Sequence, residues 1–329
     1  MNWGILGHEW AVQLLREHFA QGRLKHAYLF TGPPGVGRRT LALRLAQAIN
    51  CLNPPEPATP CLNCRACQQL EAMKHPDLLI TQAELPGGVL KVEQIRELQH
   101  RLALAPYEAR YKIALLLRFE EAHPSASNAL LKTLEEPPAR VILLLTAQST
   151  ENILPTIASR CEVLRLRPLP YAQVEAGLEA GWDIPAEQAH LLGHISGGRP
   201  GYALRLSRSD ELMEKRQAWL DDLKQLLSSN RVARFAYAEA VSKDKTISLS
   251  DVLQTWLSYW RDILLLTSGA AVPLGNVDRQ DEIEQLADQL ALNTARKVIQ
   301  AAERTLQLLD MNVNPRLALE VFLLDLPYF

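Results

Sequence analysis

Ala27-Tyr28-Leu29-Phe30-Thr31-Gly32-Pro33-Pro34-Gly35-Val36-Gly37-Arg38-Arg39-Thr40 is the stretch whose reading decides the fold. Ala27 to Phe30 form a short apolar run that ends at a glycine-rich loop and reads as a buried strand. The residues after Gly37 place Leu41, Leu45 and Ala48 at core spacing, so a helix follows the loop. A strand, a glycine-rich turn and a helix N-terminus together make a cradle of backbone N–H groups suited to phosphate.

Working outward, further apolar runs occur at Leu78-Leu79-Ile80, Ile113 to Leu117, Val141 to Leu145 and Val163 to Leu166. Near-continuous aliphatic strands separated by helical patterns predict a parallel sheet covered on both faces. This α/β unit is expected to end near Pro168-Leu169-Pro170. From about Tyr171 to Arg208 the pattern predicts a small helical unit, broken by Gly197-Gly198-Arg199-Pro200-Gly201. The remainder reads as helical, with Val252, Trp256 and Ile263 on one row and Leu253, Leu257 and Leu264 on adjoining rows. Ala270 to Asn276 reads as a loop between helices, and Val321 to Leu326 as the end of the last helix. The fold class is α/β followed by all-α.

The charged residues of the glycine-rich loop are the wrong ones for hydrolysis. A working phosphate loop reads G-x-x-x-x-G-K-[ST], with lysine on the phosphates and the hydroxyl on magnesium. Gly32 and Gly37 keep the turn, with Gly35 between them, but Arg38 stands where lysine belongs and Arg39 takes the hydroxyl position. Thr40 cannot substitute, because one residue turns the side chain by about 100° around the helix. Arginine holds phosphate but offers no ligand to a cation. The strand Ile113–Leu117 would end in an acidic pair in an active site, yet it runs into Arg118-Phe119-Glu120-Glu121. Glu120 and Glu121 are expected to open the next helix, where carboxylates suit the dipole.

Four cysteines, Cys51, Cys61, Cys64 and Cys67, follow this helix with the spacing C-x9-C-x2-C-x2-C. Four thiolates within one short loop suit a closed tetrahedral Zn2+ site of structural type. The N-terminus lacks a basic start and an apolar core, so no signal peptide is expected. The longest apolar runs, near Val141–Ala147 and Ile263–Leu266, are too short to span a bilayer. A cytoplasmic, reducing setting is therefore expected, in which clustered cysteines favour metal over disulfides. Cys161 stands alone and reads as a small packed residue. The chain has 329 residues with 47% hydrophobic and 22% charged, enough for two or three soluble domains. A net charge of −2 excludes a global basic field for nucleic acid.

Several runs together carry a resemblance. Arg23 to Phe30, the four cysteines and His75-Pro76-Asp77 resemble the bacterial clamp-loader subunits of DNA polymerase III. Asn128 to Pro138 (NALLKTLEEPP), Leu154 to Cys161 (LPTIASRC) and Asn312 to Glu320 (NVNPRLALE) are similar to the same family. The resemblance implies an AAA+ protein of three domains. These are a nucleotide-type domain over 1–168 with a zinc-binding insertion at 51–67, a helical lid over 169–208, and a helical oligomerisation collar over 209–329. Within the family, the degraded loop implies the delta-prime branch rather than the ATP-hydrolysing gamma/tau branch. The lid's nucleotide-sensing arginine position falls on Gly201, a third departure in the same direction.

The resemblance also assigns Arg160 as an arginine finger acting in trans on a neighbouring gamma/tau site, with Ser159 orienting the turn. The implied partners are gamma/tau and delta subunits, with the beta sliding clamp and primer-template DNA reached through the complex, and no membrane. The chain itself is expected not to hydrolyse ATP, while the assembly it joins serves a DNA-directed DNA polymerase, a nucleotidyltransferase. The alternatives are a gamma/tau-type ATPase with a divergent site, and a freestanding zinc-dependent nucleic-acid binding module.

Overall fold

The computed structural model describes residues 3–85, 87–244, 246–311 and 313–329, with the Asp310 side chain left aside. Met1, Asn2 and Asn312, which belong to runs read above, lie outside the described residues. The chain divides into two compact units, Met1–Val174 with Arg199–Tyr202, and Glu175–Gly198 with Ala203–Phe329.

The first unit runs α1 (Glu9–Ala20), β1 (Ala27–Thr31), α2 (Arg38–Asn50), α3 (Arg65–Glu71), β2 (Leu78–Thr81), α4 (Val92–Leu102) and β3 (Lys112–Leu116). It continues with α5 (Pro124–Glu135), β4 (Val141–Ala147), α6 (Pro155–Ala158) and β5 (Glu162–Arg165). The five strands form one parallel sheet in the order β2-β3-β4-β1-β5. Side chains alternate along each strand, so each face receives its own core. Tyr28, Phe30, Ile113, Leu115, Ile142 and Leu144 pack on one side with Leu41 and Leu45 of α2. Leu29, Ala114, Leu116, Leu143 and Leu145 pack on the other with Ile95 of α4 and Leu130 of α5. This two-sided burial is why the strands are aliphatic without interruption. The expected strands each appear within two residues of the positions read from sequence.

β1 lies between β4 and β5, so the glycine-rich loop opens at the carboxyl ends of the strands. In open α/β sheets that is where ligands bind.

Glu120 and Glu121 do not open the next helix, contrary to the expectation above. Phe119–Glu121 form a separate 3₁₀ turn, and α5 begins at Pro124 with His123 accepting from Ser125 N at 3.2 Å. Leu90 bridges this segment, donating to Glu121 O at 2.9 Å and accepting from His123 N at 3.0 Å. Those bonds hold the backbone out of helical register, and proline then sets a fresh start.

The helices that follow are α7 (Tyr171–Trp182), α8 (Ala186–Ile195), α9 (Pro200–Ser207), α10 (Asp210–Leu227) and α11 (Arg231–Lys243). The chain ends with α12 (Leu249–Thr267), α13 (Gln280–Gln289), α14 (Leu292–Asp310) and α15 (Pro315–Asp325). The second unit packs around Trp256, Trp260, Ile263, Leu319 and Phe322, with Trp256 and Phe322 stacked at 5.9 Å between ring centroids. Arg234 is fully buried in this core and donates to the carbonyls of Leu226, Leu323, Leu326 and Pro327 at 2.7–2.9 Å. The last carbonyls of a helix have no partner within it, so one guanidinium here satisfies the ends of α10 and α15 together. Among the described residues no helix is long and apolar enough to cross a membrane.

Candidate functional site

Three sites read from the sequence lie in the first unit. The glycine-rich loop keeps its backbone. Gly32, Gly35 and Gly37 have φ of 143°, 85° and 113°, values that L side chains rarely adopt. A Cβ at Gly32 would lie 2.3 Å from the Leu166 carbonyl oxygen. His8 Nε2 donates to Val36 O at 2.9 Å, and Gly32 N to Gln148 O at 3.0 Å, so the loop is braced from two sides.

The charges around that loop do not suit metal-assisted hydrolysis. Arg38 is half-buried, while Arg39 and Thr40 are exposed on the first turn of α2. Burial pulls the Arg38 guanidinium below its ordinary range; Glu120 opposes that shift and Arg118 adds to it. Burial likewise pushes the Glu120 carboxyl up, with Arg38 opposing. Arg38 Nη1 and Glu120 Oε2 are buried without a hydrogen-bond partner among the described residues. Arg118, at the end of β3, bonds Glu121 Oε1 through Nε at 2.8 Å and donates its own N–H to Thr146 Oγ1 at 3.0 Å. The strand end that would hold a metal therefore carries a guanidinium engaged with a carboxylate.

Gly201 bears directly on the loop. Its N–H donates to Gly35 O at 2.8 Å, and a Cβ at Gly201 would meet that same oxygen at 2.9 Å. From the other side, a Cβ at Gly35 would lie 2.8 Å from Tyr202 N. The position where the resemblance implies a sensing arginine is thus occupied by backbone pressed against backbone. Sequence reading missed both this contact and the mutual charge influence of Glu120 and Arg38, because nothing local to either residue marks the other.

The cysteines converge at the other end of α2. One ligand atom from each of Cys51, Cys61, Cys64 and Cys67 lies within 4.8 Å of the others, and Cys61 Sγ and Cys67 Sγ are 4.0 Å apart. Tetrahedral zinc with Zn–S bonds of about 2.3 Å needs sulfurs roughly 3.8 Å apart, so the donor set fits. Backbone N–H groups serve the sulfurs, Cys61 N to Cys51 Sγ and Cys64 N to Cys61 Sγ, both at 3.3 Å. Such bonds orient and stabilise thiolate ligands. Burial pushes the Cys51 and Cys67 thiols up. Burial acts the same way on Cys64, but N–H donors of Cys67 and Leu52 and the adjoining sulfurs outweigh it and hold that thiol at about 6. When bound, a metal here supplies a structural cross-link, because all four positions are taken by protein. Cys161 stands apart, and burial pushes its thiol up to about 12.

The cysteine segment is tied down at several points. Trp3 Nε1 donates to Ala58 O at 3.0 Å, Gln47 Nε2 to Cys67 O at 2.8 Å, and Arg16 pairs with Glu56 at 3.0 Å. Arg44 pairs with Glu71 beyond it. Asp77 then takes N–H bonds from Tyr107, Glu108 and Ala109 at 2.7–2.9 Å. Burial works to raise that carboxyl, but the three donors outweigh it and hold it below its ordinary range.

Ser159 and Arg160 follow the short helix α6. Ser159 is its C-cap, with Oγ donating to Thr156 O at 3.2 Å. Arg160 is partly exposed, bonding Thr156 O through Nη1 at 2.8 Å and Glu135 Oε1 through Nη2 at 2.7 Å. Both partners leave the guanidinium at the surface.

Comparison with known proteins places these observations in a family. Residues 7–170 match the model described as DNA polymerase III, delta subunit, and residues 210–327 match its C-terminal counterpart. The DNA polymerase III subunit delta' of Bacillus subtilis is 31% identical over 307 residues, spanning 92% of this chain and 91% of that protein. The subunit delta' of Pseudomonas aeruginosa is 36% identical over 226 residues, covering 68% of each. The DNA polymerase III subunit tau of Salmonella typhimurium is 37% identical over 175 residues, covering 53% of this chain and 27% of tau.

Proposed function

The chain belongs to the delta-prime family of DNA polymerase III clamp-loader subunits, related to gamma/tau, and from that premise we propose a non-hydrolysing role within the complex. In this reading the chain binds no catalytic metal at its own nucleotide loop and lends Arg160 to the active site of a neighbouring gamma/tau subunit. Ser159 holds the turn from which Arg160 projects. The four cysteines hold one structural zinc. The regions 1–168, 169–208 and 209–329 act as nucleotide-type domain, lid and collar. Delta subunit, beta sliding clamp and primed DNA are met through the assembly, in the cytoplasm.

One observation carries the reading: the loop retains its glycine backbone while arginines fill the cation-handling positions and Gly201 closes on Gly35. Phosphoryl transfer depends on positioned cations around the phosphates, and a guanidinium cannot hold magnesium. An arginine presented to another subunit's site stabilises the charge that develops there.

The test is ATP turnover with purified components. The isolated chain should give none. In the reconstituted complex, Arg160→Ala should enter normally yet lower turnover stimulated by DNA and clamp. One site should lose about 10³-fold while other sites keep their own arginines, so the total loss is partial. Arg165→Ala, on β5, serves as control. Turnover by the isolated chain that disappears in Arg38→Ala would establish the gamma/tau-type alternative. Unaltered turnover with Arg160→Ala would remove the finger.

A further inference from the structure

A second cluster of metal-ligating side chains lies in the second unit, away from the cysteines. His190 and His194 stand four residues apart on α8, which puts both rings on one face of the helix. Their centroids are 4.5 Å apart. Glu175 of α7 reaches both rings with the same oxygen, Oε1 lying 3.3 Å from His190 Nδ1 and 3.2 Å from His194 Nε2. One ligand atom from each of the three residues lies within 4.8 Å of the others.

His194 presents both ring nitrogens to oxygen acceptors, the Leu274 carbonyl and the Glu175 carboxylate. Its Nδ1 lies 2.5 Å from Leu274 O, a carbonyl that can only accept, so Nδ1 carries the hydrogen there. A neutral imidazole has one N–H, which leaves the Nε2 lone pair facing a carboxylate oxygen. The 3.2 Å contact is favourable with a proton on Nε2, as an ion pair, and equally with a metal cation held between the two atoms. The spacing suits a cation: ligands about 2.0–2.1 Å from a tetrahedral ion lie roughly 3.4 Å from each other. A backbone carbonyl on the far nitrogen is the usual device that fixes a metal-binding histidine in its tautomer.

We propose that Glu175, His190 and His194 form a binding site for a divalent transition metal ion, distinct from the four-cysteine site. Two imidazoles and one carboxylate suit zinc, cobalt or nickel and disfavour magnesium and calcium. His194 is buried and anchors the site, whereas His190 is 56% exposed and leaves the fourth position open to water. The ion would hold Glu175 against α8 and, through His194 and Leu274, fasten the segment before Asn276 to the same point.

The test uses the full chain with zinc already bound by the cysteines, titrated with Co2+ and followed by visible absorption. One further equivalent should bind with a nitrogen and oxygen type spectrum that lacks sulfur charge transfer. His190→Ala, at an exposed position that leaves the fold intact, should weaken this binding at least about 10-fold, since removing even an outer partner of a ligand costs 10- to 100-fold. Glu175→Gln should weaken it comparably, and His100→Ala, at an unrelated exposed histidine, should leave it unchanged. Zn2+ should also raise the Tm of the unmodified chain but not that of His190→Ala. Absence of uptake beyond the cysteine site, affinity in His190→Ala and Glu175→Gln unchanged from the unmodified chain, or an equal loss in His100→Ala would each overturn the proposal.

Discussion

Helix α2 has an intact glycine-loop backbone at one end and a complete donor set at the other. At its N-terminus, the glycine loop keeps three left-handed glycines while Arg38 and Arg39 displace the groups that would handle a nucleotide and its metal. At its C-terminus, Cys51 begins a segment that brings four sulfurs together, with backbone N–H donors serving them. The first end has form without the chemistry that the form serves elsewhere; the second has the whole donor set. Backbone geometry is therefore a poor guide to activity here. The side chains that must carry charge decide it.

Breaking the cysteine end should have the largest effect. Cys67→Ser removes a fully buried sulfur from the centre of the cluster. Structural zinc contributes on the order of 10 kcal/mol of apparent binding free energy in small domains. We expect loss of the metal by elemental analysis and loss of cooperative folding for residues 51–67, seen as proteolytic nicking within that segment. Retention of one zinc per chain in Cys67→Ser would show that the fourth sulfur is dispensable. At the glycine end, Arg38→Lys with Arg39→Thr should restore no ATP turnover, because Arg118 and Gly201 remain.

Asp77 sharpens the comparison from outside the cluster. Its carboxylate holds the 107–109 loop by three N–H bonds, and Glu108 of that loop faces Arg65 of α3 at 3.7 Å. Asp77→Ala should cost on the order of 5 kcal/mol, since it removes three charge-assisted bonds of roughly 1.5–3 kcal/mol each. The pH dependence has a definite sign. The folded carboxyl titrates below its unfolded value of about 3.9, so its contribution is complete above that pH and is lost as pH falls through the folded value. Asp77→Asn should therefore flatten the acid limb of a stability–pH curve. A mutant that keeps the full acid limb would assign acid sensitivity to other carboxylates.

Gly32→Ala asks whether the glycine loop is structural. Its φ of 143° and the 2.3 Å approach to Leu166 O leave no room for a methyl group, so about 2–3 kcal/mol should be lost in urea unfolding. A neutral substitution would mean that the loop yields easily and that its glycines are not required by the fold.

The sheet and the cysteine cluster are legible in sequence for the same reason: each is written in local spacing. Strands buried on both faces are unbroken aliphatic runs, and four cysteines within seventeen residues imply one site. What sequence does not show depends on distant neighbours. Glu120 faces Arg38 across more than eighty residues, Asp77 finds its donors thirty residues ahead, and Gly201 meets Gly35 from another helix. His190 and His194 do carry a readable i, i+4 signal, but Glu175 and Leu274 acquire meaning only once the helices are packed. The misplacement of Glu120 and Glu121 has the same origin, because the bridge from Leu90 that keeps them out of the helix is non-local.

The smallest expected stability effect belongs to Arg160, and its smallness is informative. Its ion pair with Glu135 is exposed on both sides, 36% and 51%, and such pairs contribute about 0.2–1 kcal/mol. Arg160→Ala, Glu135→Ala and the double variant should therefore unfold within about 1 kcal/mol of the unmodified chain, with a coupling energy no larger. In the reconstituted complex the two residues should separate. Under the proposed finger role Arg160→Ala should lower ATP turnover, whereas Glu135→Ala releases the guanidinium from its carboxylate and should leave turnover unchanged or raised. Equal losses from both substitutions would mean that the pair itself, acting as a surface clasp between α5 and α6, is what the assembly requires. A coupling energy well above 1 kcal/mol in the isolated chain would point the same way, making Arg160 a structural residue of its own subunit.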